Sequence, residues 1–252
     1  MSSRAPLLRL LQLASPALPI GAYAYSRGLE SAVHFGWVKD EAEACRWIEG
    51  ILERSVASLD GPVFLRLFDA FVAQDTACVE RWNDFACAAR ESHELALEDR
   101  QLGLALARVL NDQGVEAAAH FRGRGGYATL FALAASTWGV ERVDALSAFL
   151  FAFVENQVSC AIKLVPLGQS AGQRILSRLV GVVDRLVQRV LEIGDDENRF
   201  LHTARGARQC LARDPVHASF PFLRRSHDQE CAAIGGGRPG GFGQDGVGPG
   251  SV

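Results

Sequence analysis

Apolar residues return every three to four positions along most of the first 190 residues, while strand-period alternation is nearly absent. A chain patterned in this way can hide its apolar surface only as helices that each bury one face, so the expected fold is all-α, an irregular bundle of roughly seven to ten helices. Ala44, Trp47, Ile48, Ile51 and Leu52 show the spacing, and Asp40 stands where it can cap a helix running from residue 41 to about residue 59. Gly61 and Pro62 then open a helix through residue 72, with proline in the tolerated first turn. Further helical segments are expected at residues 7–14, 80–110, 127–138, 140–165 and 171–191.

The polar content narrows the function classes. With 48% hydrophobic residues in 252, residues 1–200 can form one domain with a sizeable core. Beyond about residue 195 the periodicity fades, and residues 235–250 are dominated by glycine, the composition of a disordered tail over residues 201–252. A net charge of -3 gives no electrostatic footing for nucleic acid or for an anionic membrane. Six cysteines without a CxxC pair fit a reducing cytoplasm. The N-terminal apolar run is too interrupted for a signal peptide, and the run at residues 145–154 falls short of the roughly 20 residues of a membrane span, so a soluble cytoplasmic protein is expected.

Two segments interrupted by proline and glycine stand out. In FVENQVSCAIKLVPLGQSAGQ, residues 153–173, a helical reading puts Asn156, Ser159, Cys160 and Lys163 on one face of an otherwise apolar helix. Lys163 and Lys39 are the only lysines among 26 basic residues. Pro166 should stop this helix near Val165, Gly168 is suited to a left-handed turn, and a new helix should begin by Ala171. Such a stripe is either a helix corner whose lysine reaches solvent or a polar site read by a partner, and the residues alone leave both open. The other segment carries Pro16, Pro19 and Gly21, then Tyr23, Tyr25, Arg27 and Glu30, which could line a ligand site or seal a core.

Recognisable catalytic patterns are sparse. His93-Glu94 begins like a zinc-protease helix but lacks the second histidine one turn on, and Glu91, Glu94, Glu98 and Arg100 read as a solvated face with helix-spaced ion pairs. The six histidines are scattered, Ser26 and Ser159 have no evident acid and base partners, and no GxxxxGK[ST] occurs in this frame. A helical protein of this kind works through its surfaces.

SPALPIGAYAYSRGLE and ENQVSCAIKLVPLGQSAGQR resemble the hallmark blocks of the UreF family of urease accessory proteins, and SHELALEDRQLGLALAR between them is similar to that family's middle helix. The resemblance spans roughly residues 7–178. It implies an all-α, usually dimeric chaperone without catalysis of its own, which binds UreD (also called UreH) and recruits the GTPase UreG so that the assembly delivers nickel to apo-urease. It implies no cofactor held by this chain, nickel and GTP being handled by the complex. By position, the blocks single out Pro16, Pro19, Gly21, Tyr25, Gly28, Leu29 and Glu30, and Glu155, Asn156, Gln157, Lys163, Pro166, Leu167, Gly168 and Gln169. Pro16, Pro19, Gly21, Gly28, Pro166 and Gly168 are expected to set backbone geometry. Tyr25, Glu30, Asn156, Gln157, Lys163 and Gln169 are interface candidates, with Glu30, Lys163 and Gln169 expected to contact the GTPase or line a polar path. The alternative is an α-helical enzyme or ligand-binding protein with a pocket near Tyr25 and Glu30.

The C-terminus departs from the family's usual ending, which is similar to HETQYSRLFRS. Codon degeneracy over residues 212–223, read one nucleotide forward, permits His-Glu-Thr-Gln-Tyr-Thr-Arg-Leu-Phe-Arg-Ser and then a TGA stop. The same frame permits a start codon at residues 227–228 and, over residues 237–247, a P-loop resembling the opening of UreG. The expectation is a frameshift between about residues 195 and 212, which resequencing the DNA would test.

Overall fold

Residues 4–194 are described by a computed structural model, and they form nine α-helices with no strand among them, in keeping with the all-α expectation. The tail and its out-of-frame reading lie outside the described residues. In order the helices are α1 (Ala5–Leu13), α2 (Leu29–His34), α3 (Glu41–Ile51), α4 (Gly61–Val72), α5 (Thr76–Ala88), α6 (His93–Asp112), α7 (Tyr127–Thr137), α8 (Arg142–Leu164) and α9 (Gln169–Gly194). Short 3₁₀ turns lie at Ala22–Ala24 and Glu116–Phe121.

Helix α7 is apolar all round, and residues 128–135 are buried without a break, so it is a central element rather than a surface one. Helices α4 and α6 pack along it, α1, α5 and α8 also touch it, and α9 closes the bundle against α8, α4 and α3. Where α4, α7 and α8 meet, the Phe64 ring stacks on Phe149 at 4.8 Å and meets Phe131 edge-on at 5.9 Å. Tyr127 extends the group towards the N-terminal end of α7, 5.8 Å from Phe149. Close approach of α6 to the chain before α7 depends on Gly103, where a Cβ would collide with the carbonyl oxygen of Gly125.

Three boundaries differ from the sequence expectation. The helix begun at Asp40, whose carboxylate accepts the N–H of Glu43, does not end before Gly61: a π-helical segment, Leu52–Asp60, joins α3 to α4 in one rod. Pro62 has no N–H and would crowd the carbonyl four residues back in a regular α-helix, a clash that the wider π turn before it eases. The expected long segment at residues 80–110 is divided, because Ser92 takes extended geometry and accepts the N–H of Leu95 to start α6. Gly168 is not left-handed. Proline forces the residue before it into the extended region, and Val165 therefore ends α8 with φ −101° and ψ 140°.

By length and composition α8 could cross a membrane, but 61% of its most apolar window is buried inside the bundle, the position of a core helix. Cys45, Cys78, Cys87 and Cys160 are free thiols.

Candidate functional site

The two interrupted segments come together. After α1 the chain runs through exposed Pro16 and Pro19, turns at Gly21 (φ 73°) and returns to helix through Arg27 (φ 48°) and Gly28 (φ 81°). Gly21 and Gly28 thus carry the backbone role expected of them, since neither φ suits a side chain. Arg27 takes the same region with a side chain, an unfavourable choice that its surroundings must hold.

They do so from the C-terminal half of α8 and from α6. Gln157 Nε2 donates to the carbonyl of Tyr25 at 3.0 Å, and the Cys160 thiol donates to the carbonyl of Tyr23 at 3.2 Å. Burial pushes that thiol above its ordinary pKa, with nearby Lys163 opposing the shift. At the surface the Lys163 ammonium lies 4.6 Å from the centre of the Tyr23 ring, on its cation-attracting face. Pro166 is exposed beyond it, and the Gly168 carbonyl accepts the N–H groups of Ala171 and Gly172 as α9 begins.

Beneath the loop lies a charged cluster that helical periodicity did not suggest. Arg27 Nε donates to Glu98 Oε1 at 2.8 Å, and Arg90 bridges Asp60 at 2.6 Å and Asp99 at 3.0 Å. Asp99 also accepts the N–H of Tyr127. Glu98, expected on a solvated face, is 7% exposed. Its register with Leu102 and Leu106, four and eight residues on, was the available signal that it faces inwards. Burial pulls the Arg90 guanidinium down in pKa, but Asp60 and Asp99 together move it above its ordinary value, so it stays charged.

Tyr25, Arg27, Arg90, Glu98, Asn156 and Gln157 line a cavity of about 50 Å³ there. A few water molecules fit such a space, whereas an organic ligand needs on the order of 300 Å³ or more. Arg90 Nε and Gln157 Oε1 are buried without a protein partner, and both residues border this cavity. The structure therefore gathers Tyr25, Asn156, Gln157 and Lys163 around one loop–helix joint. Glu30 is exposed on α2 and Gln169 on the first turn of α9, and neither lines the cavity, so the expected pocket near Tyr25 and Glu30 contains only the first of them. Ser26 Oγ accepts the N–H of Glu30, and burial pushes the half-buried Glu155 carboxyl up in pKa. Among the described residues no group of three or more His, Cys, Asp or Glu side chains could hold a metal ion.

The described residues thus form an all-α bundle in which buried polar side chains brace a surface loop. A sequence model of the UreF family matches residues 38–180, and the chain belongs to the UreF family of urease accessory proteins. The protein named urease accessory protein UreF 2 in Brucella anthropi is 45% identical over 194 residues, covering 76% of this chain and 86% of that protein. Proteins named urease accessory protein UreF in Alkalilimnicola ehrlichii and an Azoarcus species are 44% and 48% identical over 191 and 195 residues. These matches cover 75% and 73% of this chain, and 84% and 81% of the respective relatives.

Proposed function

We propose that the chain acts in urease maturation as a non-catalytic docking subunit. It pairs with UreD (UreH), recruits the GTPase UreG, and the resulting assembly delivers nickel to the urease apoprotein. Nickel and GTP are handled by the complex, with no cofactor held by this chain, which works as a homodimer in the cytoplasm without contacting nucleic acid or membrane. Membership of the family supports the maturation role. The observation that carries the docking reading is Lys163: a rare lysine in this chain, exposed at the end of a core helix and lying over the Tyr23 ring, with no carboxylate paired to it among the described residues. Glu30 and Gln169, both exposed, extend the candidate surface to α2 and α9, and Asn156, Gln157 and Tyr25 support it from below.

Co-purification with tagged UreD and UreG, followed by activation of apo-urease, tests this. Lys163→Ala should keep its thermal midpoint while losing urease activation or coupling to the GTPase. A large fall in the midpoint with normal activation by the surviving protein would make Lys163 a packing residue. Failure to associate with UreD or UreG in any combination, together with saturable binding of a small molecule, would favour the ligand-binding alternative.

A further inference from the structure

The loop of residues 21–28 ends in two successive left-handed residues, Arg27 and Gly28, and only the glycine adopts that conformation freely. What holds Arg27 there is its buried pairing with Glu98, their side chains being 13% and 9% exposed, with the guanidinium 5.9 Å from the centre of the Phe153 ring. Six residues earlier, Gly21 gives the loop its other left-handed corner. Between these ends the Gln157 amide and the Cys160 thiol fix the carbonyls of Tyr25 and Tyr23. The Tyr23 side chain is 58% exposed, and its ring lies against the Lys163 ammonium.

We propose that Arg27, Glu98 and Gln157 are positioning residues: they strap the loop to α6 and α8 so that the Tyr23 ring holds the Lys163 ammonium in one place, as a preoriented cation for an anionic group of a partner. A lysine has four rotatable side-chain bonds, and fixing its head before binding removes part of the ordering cost of the contact. Glu98 and Gln157 act here without reaching the surface. The importance of this arrangement to assembly rests on the docking function proposed above, but the positioning can be measured without any partner.

The chain contains only Lys39 and Lys163, so trace acylation of the full-length protein with an N-hydroxysuccinimide ester, read by peptide mass spectrometry, reports Lys163 against an internal reference. Releasing the loop should raise Lys163 acylation relative to Lys39 by about two- to fivefold, the range set by an exposed cation–π contact. Glu98→Gln, Gln157→Met and Tyr23→Leu should each produce this rise, and Arg27→Lys, which keeps the charge, a smaller one. Combining Tyr23→Leu with Glu98→Gln should add nothing to Tyr23→Leu alone, because both act through the same ring. A general loosening would instead raise Lys39 as well, or add in the double variant. Unchanged Lys163 reactivity in folded Glu98→Gln and Gln157→Met, or additive rises in the double variant, overturns the proposal. If reactivity follows the proposal while association of these variants with UreD and UreG stays normal, the positioning stands and its importance to docking fails; loss of docking in Lys163→Ala tests the docking role itself.

Discussion

Asp60 and Phe64 lie four residues apart on the same helical rod, yet they sit in opposite kinds of interior. Phe64 is fully buried among Phe131 and Phe149, where many weak contacts each contribute a little. Asp60 is 6% exposed and faces Arg90, where the contacts are few and each group depends on the charge opposite. Both regions are buried, but the charged one borders the cavity of about 50 Å³, and the two should fail differently. An aromatic core degrades by degrees as volume is removed, whereas a buried charge cluster loses most of its support when one member is deleted.

The largest effects should come from striking each region once. Phe64→Ala is expected to destabilise the fold by about 3–5 kcal/mol, through lost transfer energy and the cavity left behind. Arg90→Met should cost a similar amount, about 3–5 kcal/mol, because two carboxylates are left buried without their cation. Rescue separates the two cases. Adding Asp60→Asn and Asp99→Asn to Arg90→Met should recover much of the loss in urea unfolding, since the uncompensated charge is gone. No polar substitution near Phe64 should do the same. If the triple variant is no more stable than Arg90→Met alone, the cluster is held by packing, and the contrast between the regions disappears.

A smaller effect is expected where the two regions are joined. Gly103 lets α6 approach the chain at Gly125, and that approach helps to set Asp99 beside Arg90 and Tyr127 beside the aromatic group. Gly103→Ala would drive a methyl group into a backbone carbonyl, which cannot swing aside as a side chain can. The expected loss is about 1–3 kcal/mol in denaturant unfolding. A neutral result would show that α6 can slide without disturbing either interior.

The helices that build the aromatic interior were readable in the sequence, and the charged cluster was not. Those helices, at residues 61–72, 127–138 and 140–165, follow from the helical pattern of the sequence, whereas the meeting of Phe64 with Phe131 and Phe149 is set by the fold. Arg90 lies in a short polar connection between two helices, where composition suggests solvent. Its burial depends on the π-helical segment that brings Asp60 round to it, and the i→i+5 pattern leaves no mark in hydrophobic periodicity. Lys163 was legible as an oddity, a lone lysine in an apolar helix, but its neighbour Tyr23 is 140 residues away and only the fold brings the pair together. The glycines divide in the same way. Gly21 and Gly28 have the positive φ that turns require, whereas the turn after α8 is shaped by Val165 and Pro166, and Gly168 serves there through its carbonyl.

Ser92 tests the entrance to the charged cluster. Its hydroxyl accepts the N–H of Leu95, fixing the first turn of the helix that carries Glu98 and Asp99. Ser92→Ala should cost about 1 kcal/mol, the ordinary value of an N-cap. A loss well beyond that would mean that the start of α6 also sets the Arg90 geometry, and a lowered Lys163 acylation ratio would be unexpected in either case.

The smallest effect should come from the rim, where charge pairs lie in water. Arg174 on α9 makes a two-pronged contact with Glu41 on α3, through Nε at 3.0 Å and Nη2 at 2.6 Å. The Arg174 hydrogen bond holds the Glu41 carboxyl below its ordinary pKa, against the opposing effect of desolvation. A carboxylate depressed in this way stabilises the fold above its unfolded pKa, and the contribution fades as pH falls through the lower folded value. The pair lies at the surface, however, with Arg174 exposed and Glu41 partly so, and at physiological salt the screening length is about 8 Å. Arg174→Ala should therefore leave the thermal midpoint at pH 7 within error of the parent, and any residual difference should vanish in acid as Glu41 is protonated. A loss equal to that of Ser92→Ala, persisting at low pH, would show that the arginine holds α9 to α3 through its aliphatic stem. The line between a pairing-dependent interior and an indifferent rim would then have to be drawn further out.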